Sequence, residues 1–264
     1  MFGLCWTEVR SVVRRGSRQD VAWCIPRQKC EDADEKPYLC GIKPLVMPQH
    51  SVTAVPEAAV ERHPLEPFLP DNARVLFLGS FPPQRKRWCC DFFYPNYSND
   101  FWRIMGQVFF ADRLHFVDVA RRTYRLDLLR LFLSERGIAL FDMATEVRRL
   151  RQNASDKYLE VVAPTDIPCL VGRLSRLQMI VTTGEKATET VCATLGVGVA
   201  PAVGTSVAIP AFDVVGCRGG KDVSRRFTGL RLYRLPSSSR AYPLAFEKKV
   251  DAYRAMFVAA GIID

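Results

Sequence analysis

The sequence is poor in histidine, contains no long apolar run, and spaces its cysteines loosely. Each of these shortages narrows what the chain can do. Only three histidines occur among 264 residues, His50, His63 and His115. None lies in a segment that follows an apparent strand, so acid–base or leaving-group chemistry built on histidine is not expected. No apolar stretch approaches the ~18–20 residues needed to cross a bilayer. The first fifteen residues do not make a secretory leader, because their short apolar stretch is interrupted by Glu8 and Arg10. The nine cysteines are odd in number and lack framework spacing. The adjacent pair Cys89-Cys90 is a poor disulfide, and the thiols read as reduced, in a cytoplasmic, intracellular protein. Cys24, Cys30 and Cys40 stand too far apart for the C-x2-4-C spacing of zinc sites. Neither a metal nor any other cofactor is expected. Also missing are the G-x-S-x-G elbow, the Walker loop and the G-x-G-x-x-G turn, which argues against an ester hydrolase or nucleotide hydrolase on an α/β scaffold. There is no internal repeat.

What is present supports a folded, basic protein. Hydrophobic residues make up 48% of the chain, enough for a sizeable core. Lys and Arg outnumber Asp and Glu by 37 to 28, a net charge of +9. Residues 1–60 hold 8 basic and 7 acidic residues, so about +8 belongs to the rest. Such an excess suits a polyanion, although a merely solvated basic face gives the same composition. Residues 1–60 show no sustained period, carry four of the cysteines and leave through Pro44, Pro48 and Pro56. They are expected to be a flexible or poorly ordered extension of a domain spanning residues 61–264.

From about residue 61 the pattern is regular. Buried strands are expected at Arg74–Leu78, Ile138–Asp142, Met179–Thr183 and Leu230–Leu235, with a further strand over Val207–Val215. Helices are expected at Asn99–Phe110, Val117–Arg136 (stopped by Gly137), Asp166–Leu174 (capped by Asp166), Gly184–Leu195 and Leu244–Ala260. The segment after Asp142 reads as a polar loop. Continuously apolar strands alternating with helices point to a three-layer α/β/α fold around a central, mostly parallel, four-stranded sheet. Sites in such sheets form beyond the carboxyl ends of the strands.

The segments in those places carry the chemistry. Gly79-Ser80-Phe81-Pro82-Pro83 follows the first strand, and Phe93-Tyr94 precede Asn99-Asp100-Phe101-Trp102. Phe81, Phe93 and Tyr94 are candidates to stack on a planar ligand, although any one ring is as readily core packing. Gly184-Glu185-Lys186 opens a helix, where free backbone N–H groups suit a phosphate. Pro236-Ser237-Ser238-Ser239-Arg240 follows the last strand and suits gripping a nucleic-acid backbone by short side chains, or is an ordinary serine-rich turn.

These motifs, with Gly137-Ile138-Ala139-Leu140, Asp142, Asn153-Ala154-Ser155-Asp156 and Pro164-Thr165-Asp166-Ile167, stand in the order found in one family. The chain resembles the hypoxanthine-DNA glycosylase branch of the uracil-DNA glycosylase superfamily over about residues 63–260. The resemblance implies a monofunctional repair glycosylase that flips a deaminated base, hypoxanthine and/or uracil, out of damaged DNA and hydrolyses its N-glycosidic bond. It implies no metal, no membrane and a monomer. Other branches carry a catalytic Asp or Asn where Phe81 stands, and many have His where Leu235 stands; the hypoxanthine branch is similar in lacking both and places a functional Asn before Phe-Trp. Asn99 matches it, and an amide can orient water and contact substrate. Asn also favours helix N-caps, and both roles coexist only if capping does not consume the side chain. Asp142 and Asp156 are the further catalytic candidates. Gly79, Ser80, Phe81, Phe93, Tyr94, Asn153 and Ser155 are expected to bind the base. Lys186, Pro236, Ser237, Ser238, Ser239, Arg240 and Tyr242 are expected to hold the DNA, with Arg240 or Tyr242 filling the gap left by the base. The substituted first motif leaves a competing reading, a non-catalytic DNA-binding module on the same fold.

Overall fold

The apolar runs named above form the central layer of the fold, and a computed structural model shows how they assemble. It describes residues 59–150, 158–215 and 225–264, all within the unit Ala54–Asp264. In chain order the elements are β1 (Val60–Arg62), β2 (Val75–Gly79), α1 (Phe101–Phe110), β3 (Val117–Asp118), β4 (Thr123–Tyr124) and α2 (Leu126–Arg136). Then come β5 (Ile138–Asp142), β6 (Ala144–Arg149), β7 (Leu159–Pro164), α3 (Ile167–Gly172), β8 (Met179–Thr183) and α4 (Glu185–Leu195). The chain closes with β9 (Ser206–Ala208), β10 (Phe212–Val214), β11 (Arg225–Phe227), β12 (Arg231–Leu235) and α5 (Phe246–Ala259).

The central sheet has the order β5-β2-β8-β12-β9. Its first four strands are parallel, as expected, and β9 adds a fifth, antiparallel strand at the edge. Every residue of β2, β5 and β8 is buried, which explains their unbroken apolar composition. The two faces can be assigned from side chains that alternate along β2. Phe77 meets Phe101 of α1 and Phe257 of α5 on one face. Thr182, the register neighbour of Leu78, hydrogen-bonds Thr188 of α4 across the other. The layers are therefore α/β/α. A separate antiparallel sheet, β1-β6-β7, flanks this body, and its buried Val147 and Leu159 join Phe81, Met143, Ala144 and Ala187 in a second apolar cluster.

Three sequence expectations change. Val117–Arg136 is not one helix: a short antiparallel hairpin, β3-β4, precedes α2, and Arg122 turns it with φ 53°. Val117 and Tyr124 are buried from that hairpin, so their apolar character reports strand burial rather than a helix stripe. The polar segment after Asp142 is also not a plain loop; β6 and β7 pair through a register shift, which hides the two-residue alternation. Val207–Val215 divides into β9 and β10, which belong to different sheets. Two end signals hold. Gly137 ends α2 at φ 63°, where a Cβ would come within 2.6 Å of the Asn72 carbonyl oxygen, and Asp166 caps α3 by accepting from the Cys169 N–H. The expectations for residues 1–58, for Asn153, Ser155 and Asp156, and for residues 216–224 lie outside the described residues.

Candidate functional site

A cleft of about 150 Å³ opens beyond the carboxyl ends of β2, β5, β8 and β12. Gly79, Ser80 and Phe81 reach it from β2, Asp142 from β5, Thr183 from β8, and Ser237, Ser238 and Ser239 from β12. Phe93, Tyr94 and Asn99 enter from the segment before α1, and Arg149 from β6. Most of the residues singled out in the sequence therefore meet in one place. Lys186, Pro236, Arg240 and Tyr242 are not among the lining residues.

The floor is built around a glycine and a carboxylate. Gly79 and Asp142 are register partners on β2 and β5. A Cβ on Gly79 would stand 2.3 Å from Asp142 Oδ1, so only glycine lets the carboxylate lie where it does. Asp142 is 7% exposed, and its backbone carbonyl accepts from the Thr165 hydroxyl at 2.7 Å. Its Oδ2 lies 2.9 Å from His63 Nε2, which donates to the carboxylate. The His63 side chain is only 3% exposed and is walled by the rings of Phe81, Phe141 and Phe93 at 5.3, 4.7 and 6.2 Å. Its Nδ1 sits 2.8 Å from the Leu65 carbonyl oxygen and 3.2 Å from the Leu65 N–H. His63 is not among the residues lining the cleft, but it holds the carboxylate that is. No motif signalled His63, because it precedes every strand of the central sheet and reaches Asp142 through the fold alone.

The aromatic candidates differ in access. Phe81 is 9% exposed and is held between His63 and the guanidinium of Arg149, which lies 5.6 Å from the ring centroid. Arg149 is anchored in turn, Nε donating to both Glu61 carboxylate oxygens at 2.9 and 3.0 Å and Nη2 to the Pro82 carbonyl. Phe93 is buried, and its carbonyl accepts from Trp102 Nε1 at 3.0 Å. Tyr94 is only partly buried. It holds φ 51°, a conformation non-glycine residues seldom adopt. One face of its ring stacks on Phe101 at 3.7 Å, and its hydroxyl bonds Thr183 Oγ1 at 3.0 Å. Sequence reasoning missed Arg149 and Thr183 as well as His63; Arg149 sits in an arginine-rich stretch with nothing to mark it out.

Asn99 occupies the entrance of α1. Its Oδ1 accepts from the Phe101 N–H at 2.9 Å, a local bond of the kind Asn makes at helix starts. Only an oxygen can face that donor, which fixes the amide's orientation. Asp100 is the N-cap of α1, and the Asn99 turn bond before it engages one lone pair of Oδ1, leaving its second lone pair and the Nδ2 group for other contacts.

The serine segment is fastened to α1 and α5. The Asp100 N–H donates to the Ser238 carbonyl at 3.1 Å, and Arg240 Nε donates to the buried Asp100 carboxylate at 2.9 Å. Lys249, 2% exposed, donates Nζ to the Ser239 carbonyl at 2.7 Å. Burial lowers its pKa, opposed by the nearby Asp100 charge. Burial likewise pushes the Tyr253 hydroxyl up, while a hydrogen bond with the Ser238 side chain acts the other way. Ser238 is 2% exposed, so its hydroxyl belongs to this anchoring. Ser237 and Ser239 turn their hydroxyls onto the Ser239 and Ala241 N–H groups at 3.2 Å each.

Among the described residues no cluster of three or more His, Cys, Asp or Glu is placed to hold a metal, and no helix is long and apolar enough to cross a membrane. Topology and cleft together define the class: a three-layer α/β protein with a mostly parallel sheet and a cleft at its carboxyl edge. No protein-family model and no curated protein matches the chain. Among solved structures, it is similar to the solution NMR structure of a Methanosarcina acetivorans protein provisionally named a uracil DNA glycosylase, at 20% identity and a TM-score of 0.49, covering 77% of this chain and 99% of that one.

Proposed function

We propose that the chain is a monofunctional DNA glycosylase that excises a deaminated base, hypoxanthine and/or uracil, and leaves an abasic site. The observation that carries this reading is convergence. Segments scattered from Gly79 to Ser239, singled out because of their order in the sequence, line one cleft at the open edge of a parallel sheet in a chain of net charge +9. A base swung out of the helix enters the cleft beside Tyr94 and Phe93, with Phe81 backing the wall; base–aromatic stacking contributes roughly 1–3 kcal/mol per base. Ser237 and Ser239 present backbone and hydroxyl groups to the flanking phosphates, and Arg240 and Lys186 supply positive charge to the strand. The domain spans about residues 61–264 and acts as a monomer on damaged DNA in the cytoplasm.

In the reaction the C1′–N bond breaks, its electron pair leaves with the base, and the sugar becomes oxocarbenium-like. The second lone pair of Asn99 Oδ1 orients the attacking water, and the Asp142 carboxylate stabilises the cationic sugar. The water oxygen bonds to C1′, one of its protons passes to the departing base, and the other stays on the new hydroxyl. No metal or cofactor takes part. Engagement of Asn99 Oδ1 by the Phe101 N–H favours one competing reading, a non-catalytic DNA-binding module in which Asn99 only closes the turn that precedes α1. One experiment separates the two: purified protein is incubated with single- and double-stranded oligonucleotides carrying uracil, hypoxanthine or xanthine, then treated with alkali. Strand scission at one of these lesions supports the glycosylase. Salt-sensitive binding without scission supports the module.

A further inference from the structure

We infer that His63 is a positioning residue that acts through Asp142; the inference rests on the glycosylase reading above and extends it to a group outside the cleft lining. A carboxylate taken out of water needs a partner, or it neutralises or turns away. Among the described residues, the side chain hydrogen-bonded to the Asp142 carboxylate is His63, at 2.9 Å. That bond takes Oδ2, while Oδ1 lies over the bare Cα of Gly79 at the cleft floor. The two oxygens are thus divided: one is tied down and the other is presented to the cleft.

The histidine can serve as a fixed donor because it cannot turn. Three phenylalanine rings enclose it, and Nδ1 is held at the Leu65 backbone. With Nε2–H committed to Asp142, Nδ1 accepts from the Leu65 N–H in the neutral ring or donates to the Leu65 carbonyl in the protonated one. Both charge states keep the bond to Asp142. The familiar arrangement in which a carboxylate orients a histidine is inverted here, with the histidine orienting the carboxylate that faces the reacting sugar. The arrangement also explains a lone, deeply buried polar ring inside an aromatic cage, which packing alone does not call for.

The test uses the full chain and two polar replacements that reach different positions of the imidazole. In His63→Gln the side-chain amide falls near Nε2 and keeps a donor to Asp142. In His63→Asn it falls near Nδ1, keeps the Leu65 contact and abandons Asp142. Single-turnover excision at saturating DNA and the dissociation constant for lesion DNA are measured for both, and again in an Asp142→Asn background. His63→Asn is expected to lower the single-turnover rate by about 100-fold, the scale of a ~1 Å misplacement in an active site, with DNA affinity changed less than about threefold, as suits an interaction made mainly in the transition state. His63→Gln recovers most of that loss, and in Asp142→Asn the His63→Asn change adds no further loss. Equal rates for His63→Asn and wild type, equal losses for the two replacements, or losses that multiply with Asp142→Asn would each overturn the inference while leaving the glycosylase reading intact. Wild-type protein that excises no base overturns both.

Discussion

Replacing Gly79 by alanine tests whether the cleft floor is set by the absence of one carbon atom. The new Cβ would stand 2.3 Å from Asp142 Oδ1, whereas ordinary contact begins near 3.4 Å, so the oxygen must retreat by about 1.1 Å. The nearest relief is rotation of the Asp142 side chain, which draws Oδ2 away from His63 Nε2, now at 2.9 Å. Losing a charge-assisted hydrogen bond costs about 1.5–3 kcal/mol, and an off-rotamer side chain adds about 0.5–1.5 kcal/mol. The smaller backbone entropy lost on folding returns about 0.5–1 kcal/mol. The net expectation is a loss of about 1–4 kcal/mol in stability and about 100-fold in excision rate. Thermal melts and single-turnover excision measure the two. In an Asp142→Ala background the clash has no partner, so Gly79→Ala should no longer destabilise. A Gly79→Ala protein that melts at or above wild type and excises at the wild-type rate would refute the reasoning.

At Asn99, Asp keeps an oxygen acceptor for both the Phe101 N–H and the attacking water, whereas Ala loses both; Asn99→Asp should keep the wild-type melting temperature and most of the excision rate, whereas Asn99→Ala should lose about 1 kcal/mol with the turn bond and lower excision by roughly 10²-fold or more. Ala excising as fast as wild type would reduce Asn99 to a structural residue at the start of α1. Arg240→Ala strands the buried Asp100 carboxylate and is expected to cost about 1–2 kcal/mol, held to that range because the arginine is half exposed; an unchanged melt would contradict this. The Cys89 thiol is lowered to about 7, chiefly by a hydrogen bond from Cys90, while Cys90 itself is raised. Among the described cysteines, alkylation of Cys89 by iodoacetamide, followed by peptide mapping, should therefore be fast, with a rate that rises with pH through a midpoint near 7 and falls away below it as the thiolate protonates. The Cys89 modification should vanish in Cys89→Ser, and its midpoint should move up toward that of an ordinary thiol in Cys90→Ala; a midpoint unmoved in Cys90→Ala would rule out that hydrogen bond.

Some of this architecture is written locally in the chain and some is not. The parallel strands were legible because burial on both faces demands continuous apolar runs, as in Val75–Gly79 and Met179–Thr183. Helix ends at Gly137 and Asp166 were legible because their signals are confined to one turn. The β3-β4 hairpin was not, since strands of two residues carry no period. The β6-β7 pair was obscured by its register shifts. The cleft was legible where it is built from post-strand segments, because topology alone puts those ends together. His63 and Arg149 lie beyond that rule: each reaches the site across the flanking sheet, and their partners Asp142 and Glu61 stand 79 and 88 residues away in sequence.

The bond from the Asp100 N–H to the Ser238 carbonyl has a mechanical consequence. With the Arg240 and Lys249 contacts, it makes the serine turn and the first residues of α1 one stiff bracket. In the proposed glycosylase, a strand held by that turn would lean on the very peptide next to Asn99, so that a loosened grip would degrade aim before it degrades hold.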